Sequence, residues 1–407
     1  MSWKGVTIMD QRVRFISEYL NAYFPFTELC AHFEISRKTG YKWVNRYEEY
    51  GAEGLADKSR KPHHCPHQTD EEIVQDILRA RSKHPPWGPK KLLEIVSARH
   101  PDWDLPAIST TADLLKRKGL IPPSKRRLRR KHPGCPKTTT KAPNDIWTAD
   151  YKGHFKMRNG LYCYPLTVCD MHSRYLLGCE AHEAISLKSS KSHFTRLFKE
   201  YGLPERIRTD NGVPFASSAI ARLSTLSVWW IKLGIYPEQI EPGKPQQNGK
   251  HERMHLTLKK EATIPAEKNI TVQQERFDRF RKEYNQERPH EALGMKTPSA
   301  VYQSSERKMP KKIRAYDYPL QFEVRRVSRN GGIRWKHLWV NVSQTLMEDY
   351  IGFEEIEEGV HNVYFYDILI GRFFEEINRI KDVIERIPTR PTIVKQSYCN
   401  PCTWNKV

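Results

Sequence analysis

Apolar residues fall at helical spacing through residues 10–50. In the first run, Gln11 to Ala22, the residues Val13, Ile16, Tyr19, Leu20 and the following Tyr23 share one face. A second run, about Phe26 to Phe33, turns Leu29, Cys30 and Phe33 inward. Ser36, a residue type that caps helix N-termini, opens a third that carries Arg37, Lys38, Lys42, Trp43, Val44 and Arg46. A basic third helix behind a tight turn is the helix-turn-helix arrangement, whose last helix lies in the DNA major groove. Arg37, Lys38 and Lys42 are the expected readers, with Trp43 and Val44 in the core. A plain three-helix bundle shares the apolar pattern but gives no reason for the basic face.

The pattern then repeats. "QTDEEIVQDILRARSKHP" predicts a helix capped by Thr69 or Asp70 with Ile73, Ile77 and Leu78 inward. "GPKKLLEIVSARH" predicts another, with Pro89 suited to a first helical turn. "AISTTADLLKRKGL" predicts a third, capped by Ser109 and stopped by Gly119. The polar, proline-bearing "DKSRKPHHCPHQ" between the two units reads as a linker, and its His63, His64, Cys65 and His67 lack the two-plus-two spacing of a zinc site.

Beyond residue 144 the period changes. Strand-like runs cover Ile146–Tyr151, Tyr162–Cys169, Tyr175–Ala181 and Arg206–Thr209, with a shorter one near Ile235–Ile240. "DMHSR" joins the second and third as a turn. A helix is expected over Leu187–Tyr201, another from Gln246 to about Ala262, and a basic one over Thr271–Gln286. Three adjacent strands followed by helix, strand and helix predict a mixed sheet flanked by helices. Residues 314–370 alternate instead between short apolar strands and "NGG" or "EEG" turns, the pattern of a small all-β module.

Charge changes the picture. The 407 residues carry 68 Lys and Arg against 48 Asp and Glu, a net charge of +20, which favours a polyanionic partner because neutralised phosphates release condensed counterions. Residues 121–141 hold eight Lys or Arg and no acid, among them Arg126, Arg127, Arg129 and Arg130. That stretch cannot bury a core and is expected to track phosphates between domains. No run of 18 apolar residues exists to span a membrane, and the first residues lack the apolar segment of a signal peptide. Cys163, Cys169 and Cys179 fall in the strand region as buried thiols, which suits a reducing cytosol. The lone CxxC, Cys399 to Cys402, has no second pair to complete a zinc site.

Three acids stand in distinctive settings: Asp150 in "DIWTADYKGHF", Asp210 in "IRTDNGVPF" and Glu252 in "PGKPQQNGKHERMH". Asp150 and Asp210 end strands, and Glu252 lies one to two turns into a helix entered through "PGKPQQNG". Three carboxylates converging in a basic chain suit two Mg²⁺ ions about 3.5–4 Å apart, the device that activates a nucleophile and stabilises the leaving oxygen in phosphodiester chemistry. Asp170 is the competing acid, expected to cap the "DMHSR" turn, and Glu261 is expected to face elsewhere. Lys259, seven residues after Glu252, falls on nearly the same helix face and is expected to contact DNA phosphate; Lys244 and Lys250 are expected along the same strand path.

The motifs "WTADYKG", "DMHSRYLLG", "RTDNGVPFAS", "PGKPQQNGKHER" and "YNQERPHEALGMKTP", in this order, resemble those of DDE transposases of bacterial insertion sequences, which share a core with retroviral integrases. The resemblance covers roughly residues 10–305. It implies an RNase H-like core in which Asp150, Asp210 and Glu252 hold two Mg²⁺ ions, or Mn²⁺ in their place, with Asp150 bridging. It further implies hydrolysis at transposon ends, attack of the freed 3′-OH on target DNA, and a dimer or tetramer on DNA in a bacterial, nucleoid-associated setting. A helper ATPase is left open. The segment between Asp210 and Glu252 is longer than in the best-known relatives, and tandem helix-turn-helix units replace the zinc-binding N-terminal domain of retroviral integrases.

The expected organisation is therefore multidomain, α and α/β. It comprises helix-turn-helix domains at 1–60 and 61–120, a basic linker at 121–143, an RNase H-like mixed-sheet core at 144–305, a small β-barrel at 306–380 and a tail at 381–407. A helix-turn-helix regulator that no longer cuts DNA, or a repair-type nuclease with the same core, are the competing readings.

Overall fold

A computed structural model describes residues 7–58, 68–121, 139–151, 153–241 and 243–383. The expected basic cluster Arg126, Arg127, Arg129 and Arg130, the His63–His67 cluster and the C-terminal CxxC lie outside the described residues. The chain forms two compact units, residues 1–70 and 71–407.

The first unit holds α1 (Ile8–Leu20), α2 (Phe26–His32) and α3 (Arg37–Tyr50). Ser36 caps α3 by accepting from the Thr39 N–H at 3.2 Å, as its position before the basic run predicts. Phe15, Ile16, Leu29, Cys30, Trp43 and Val44 form the core. Gly40 is required where α3 crosses α2, because a Cβ there would meet Cys30 Sγ at 2.6 Å. Val13 and Leu20, expected inward, are exposed, so the buried stripe of α1 is narrower than its apolar pattern.

In the second unit, α4 (Glu71–Lys83), α5 (Pro89–Arg99) and α6 (Ile108–Arg117) surround Ile73, Ile77, Trp87, Leu92, Val96 and Leu115. Leu78, expected inward, is only partly buried there. Pro89 occupies the first turn of α5 and Gly119 stops α6 at φ +71°. Ser109 is not the cap of α6. That helix starts two residues earlier, at Ile108 after Ala107, and Ser109 falls in its first turn.

The core sheet contains β1 (Ile146–Tyr151), β2 (Phe155–Lys156), β3 (Tyr162–Asp170), β4 (Leu176–His182), β5 (Arg206–Thr209) and β6 (Tyr236–Gln239). Its order is β2-β3-β1-β5-β6, with β4 also on β3; β1 pairs antiparallel to β3 and parallel to β5. Alternation along β1 decides what each face does. Trp147 and Ala149 point into a cluster with α7 (Leu187–Tyr201) and α8 (Thr225–Lys232), which includes Phe194, Phe198, Leu226 and Trp230. The opposite face, with Cys163, Cys169 and Cys179, is covered by α9 (Gly249–Leu258) and α10 (Ile270–Gln286) through Met254, Leu258, Phe277 and Phe280. Burial raises all three thiol pKa values, as expected of inert core cysteines.

The pattern of residues 217–233 concealed α8, which is apolar nearly all round. The structure supplies the reason: Leu226 and Trp230 enter the core, whereas Val228 and Ile231, with Ile220 and Leu223, enter the core of the C-terminal module. The length of the segment between Asp210 and Glu252 thus serves as a dock. That module has a five-stranded antiparallel sheet, β7 (Glu323–Arg326), β10 (Tyr350–Glu357), β11 (Val360–Phe365), β12 (Ile368–Phe374) and β13 (Arg379–Asp382), beside a hairpin of β8 (Gly332–Trp335) and β9 (Leu338–Asn341). Among the described residues no ladder joins β13 to β7, so the expected barrel is an open sheet with a separate hairpin, and Trp335, Phe353 and Phe373 pack between them.

Candidate active site

Asp150 sits on β1 next to last, at the centre of the sheet. In the parallel β1/β5 pair Ala149 lies opposite Thr209, so Asp150 and Asp210 follow side by side at the ends of adjacent strands. The Asp210 carboxylate accepts from the Gly212 N–H at 3.2 Å, closing a tight turn. A Cβ on Gly212 would stand 3.0 Å from Asp210 Oδ2, so the glycine keeps space open beside the carboxylate.

Thr148 and Asp150 share the face of β1 that α9 covers, and two histidines one turn apart make the contact. His251 Nδ1 lies 2.7 Å from Thr148 Oγ1, and its Nε2 lies 2.7 Å from Thr167 Oγ1. His255 Nε2 reaches the same Thr167 hydroxyl at 2.7 Å, and its Nδ1 lies 3.7 Å from Asp150 Oδ2. Thr167 has a single hydroxyl proton, and the Asp150 carbonyl accepts it at 3.1 Å. Both imidazoles then donate Nε2–H to Thr167, and His251 Nδ1 shares the single Thr148 hydroxyl proton with the Cys169 carbonyl, which lies 3.3 Å from Thr148 Oγ1. Burial holds the His251 pKa down at about 3, consistent with this neutral form. Sequence reasoning missed both histidines, although "HERMH" carries the i, i+4 spacing that places them on one face.

Glu252 is exposed in the first turn of α9, where the helix dipole favours a negative charge. It stands one turn before His255. Arg208 links the two strands to this helix. Buried two residues before Asp210, it pairs with Glu238 on β6 at 2.8 Å and donates to the Gln247 carbonyl, at the entry to α9, at 3.2 Å. Asp150 and Asp210 supply the hard oxygen donors that Mg²⁺ prefers, so the residues fit such an ion in kind. Among the described residues, however, no three His, Cys, Asp or Glu are grouped so that they could hold a metal ion. The sheet brings two of the expected acids together, and Glu252 stands apart on the neighbouring helix.

The competing acids behave as expected. Asp170 is fully buried and accepts from the Asn144 N–H at 2.8 Å, the Ser173 N–H at 2.7 Å and the Ser173 hydroxyl at 2.6 Å, so it fastens the turn. Glu261 pairs with Arg288 at 2.6 Å. Of the expected DNA contacts, Lys259 is exposed at the end of α9 near the azimuth of Glu252, and Lys244 is paired with Glu241. Lys250 lines a cleft on the opposite flank of α9. In the first unit Arg37, Lys38 and Lys42 are all exposed on α3, with Trp43 and Val44 buried beneath them.

Residues 140–245 match the family model of the integrase core domain, and residues 233–298 match a second model of the same description. Residues 11–63 match a helix-turn-helix domain and residues 39–115 a homeodomain-like domain. The chain is 29% identical over 164 residues to an uncharacterized 31.7 kDa protein of insertion element IS407 from Burkholderia multivorans, covering 39% of this chain and 55% of that protein. It is 29% identical over 167 residues to an uncharacterized 39.2 kDa protein of insertion element IS476 from Xanthomonas euvesicatoria, covering 39% and 44%. The match thus spans about half the length of each curated relative. Solved structures with similarity include the HTLV-2 integrase catalytic core domain in complex with magnesium, at 18% identity and TM-score 0.32 over 40% of this chain and 98% of that one. They also include a simian T-cell lymphotropic virus intasome in complex with a PP2A regulatory subunit, at 14% identity and TM-score 0.35 over 72% and 97%. Among the described residues no helix is long and apolar enough to cross a membrane.

Proposed function

We infer that this chain, which carries the integrase-type core of insertion-element transposases together with helix-turn-helix modules, binds the ends of a DNA element, cleaves their 3′ strands and joins them to target DNA. The observation that carries this reading is the side-by-side placement of Asp150 and Asp210 at the ends of β1 and β5, with α9 docked on the same face. Asp150, Asp210 and Glu252 would hold two Mg²⁺ ions, or Mn²⁺, which when bound would activate the attacking oxygen and relieve charge on the leaving one.

The chain's own residues set the stage for that chemistry. Thr167 fastens the Asp150 backbone, and His251 and His255 fasten α9 to Thr148 and Thr167, so helix and strand are clamped through hydroxyls and imidazoles. The Gly212 N–H orients the Asp210 carboxylate. Arg208 sets the distance between the Asp210 strand and the turn that begins α9. Glu252 is exposed one helical turn before His255, whose Nδ1 lies 3.7 Å from Asp150, and it would have to turn toward the two aspartates to join them. Arg37, Lys38 and Lys42 on α3 would read the element ends, and the exposed Lys259 would meet phosphate beside the carboxylates. Both element ends must be held at once, so a dimer or tetramer on DNA is the expected working form.

The test is strand cleavage and joining of labelled element-end DNA in Mg²⁺. Asp210→Asn should reduce both steps by more than about 10³-fold, on the scale of losing an essential group, while DNA binding persists. Activity retained at the wild-type level would overturn the assignment. Binding without cutting by the unmodified chain would favour the competing reading, a DNA-binding regulator.

A further inference from the structure

On the flank of α9 away from Glu252, a cleft of about 710 Å³ opens between the second helix-turn-helix module and the core. Trp87, Lys91, Arg174, Lys250, Arg253 and Arg288 line it, and they come from four separate stretches of chain. Arg288 is paired with Glu261 at 2.6 Å. Lys91, Arg174, Lys250 and Arg253 make no ion pair among the described residues, so four cations face one space without a counter-charge in contact. The acid on the rim, Glu291, lies 3.7 Å from Lys90.

Three further observations mark the cleft as built for an anion. Trp87 is 1% exposed, and its Nε1–H has no hydrogen-bond partner among the described residues. A buried donor in that state is costly unless a ligand satisfies it. The indole is held by two neighbours, stacked on His84 at 3.9 Å and with the Arg288 guanidinium over its ring at 5.4 Å. Two helices, α5 and α9, begin at the cleft through Gly88 and Gly249, and helix N-termini present unpaired N–H groups to anions. The field inside is positive enough to act on its own members. Burial and the Arg288 charge pull Lys91 down to about 8, and burial together with Lys91 and Arg288 holds His290 at about 3.

We propose that this cleft binds the phosphodiester backbone of a DNA strand and thereby ties the second helix-turn-helix module to the helix that carries Glu252. The inference rests on the chain's being a DNA-processing protein, but not on the three carboxylates. A single phosphate is too small a ligand for five cations distributed around this volume, whereas successive phosphates of one strand can engage them in turn. The apolar walls, Trp87, Met171 and Tyr284, suit the sugars between them.

Lys91 offers a direct readout, because a lysine pulled down to about 8 is acylated readily at pH 8. The full chain would be treated with a limiting amine-acylating reagent, and modification at Lys91 compared by mass spectrometry with that at exposed Lys116. Saturating element-end duplex or single-stranded DNA should lower Lys91 modification at least fivefold relative to Lys116, in the unmodified chain and in Asp210→Asn alike. Unchanged Lys91 modification while the chain is demonstrably DNA-bound would overturn the cleft proposal and leave the transposase reading standing. Protection by inorganic phosphate without protection by DNA would overturn it too, marking a small-anion site. As a second measure, Arg174→Ala with Arg253→Ala should weaken DNA binding about tenfold or more near 0.1 M salt. The slope of log K against log salt should shrink by about two, since each phosphate contact contributes about 0.9. An unchanged slope would count against the cleft. Retained cutting in Asp210→Asn would instead sink the transposase assignment, with the cleft judged separately by Lys91.

Discussion

The two flanks of α9 are built on opposite principles. On one, carboxylates stand beside a closed network in which Thr148, Thr167, His251 and His255 satisfy one another, so the polar groups beneath the acids are spent on fixing geometry. On the other, charges and an indole N–H are left without partners around an open cleft. A satisfied network holds a shape whatever is bound, whereas an unsatisfied one gains most when a ligand arrives. The difference separates a flank suited to positioning from a flank suited to binding, and both depend on one ten-residue helix.

The strongest way to break that division is through Arg208, because the helix entry that both flanks share hangs on it. Arg208→Met removes a buried guanidinium from Glu238 and from the Gln247 carbonyl. Taking one partner from a buried pair should cost the larger unit about 3–5 kcal/mol in urea unfolding. It should impair strand cleavage and Lys91 protection together. A cost below about 1 kcal/mol, or loss of one property with the other intact, would mean that the flanks are anchored separately.

How far the sequence disclosed these flanks follows from where each kind of information resides. The positions of Asp150 late in β1 and of Asp210 just after β5 were legible because β1, β5 and α7 lie where periodicity placed them. The function of α8 was hidden because two cores claim different faces of one helix, which erases the amphipathic stripe. The cleft was hidden for a different reason. Lys91, Arg174, Arg253 and Arg288 are far apart in the chain, and only tertiary folding collects them. Lys250 shows the limit within one element: its helix was expected, but no local pattern records that it lines the cleft. The C-terminal strands were expected, yet whether their sheet closes depends on edge pairing that no local pattern records.

Acid should distinguish the flanks next. His251 takes up a proton only near pH 3 when folded, against an ordinary value of 6.5. Between those values the unfolded chain binds a proton that the folded chain refuses, so stability falls as pH drops from 6.5 toward 3 and is fully present above that window. From pH 6 to pH 4 this amounts to at most about 2.5 kcal/mol for one histidine. His290 on the cleft flank is depressed similarly, to about 3. Carboxylates add losses of the same sign below about pH 5, so the informative quantity is the difference between variants. His251→Gln should flatten the pH dependence of unfolding with or without DNA. His290→Gln should flatten it in the free chain, and less so with DNA present, because bound phosphate raises the affinity of His290 for a proton. Identical behaviour of the two variants in both conditions would erase the proposed contrast.

The smallest effect concerns what holds the cleft's outer wall. Lys83–Glu287 at 2.9 Å and Lys90–Glu291 at 3.7 Å cross from the second helix-turn-helix module to the core, but all four side chains are substantially exposed. Pairs of this kind are worth at most about 0.5 kcal/mol after solvent screening. The buried part of the same contact is His84, 1% exposed, which meets Glu283 at 2.7 Å and stacks on Trp87. If packing rather than surface charge docks the module, a double-mutant cycle on Lys83→Ala and Glu287→Ala should return a coupling within about 0.5 kcal/mol, vanishing at high salt. Lys91 protection by DNA should be unaltered in both single variants. A coupling above about 1 kcal/mol would show that the wall is electrostatically latched, and salt would then open the cleft as well as weaken its ligand.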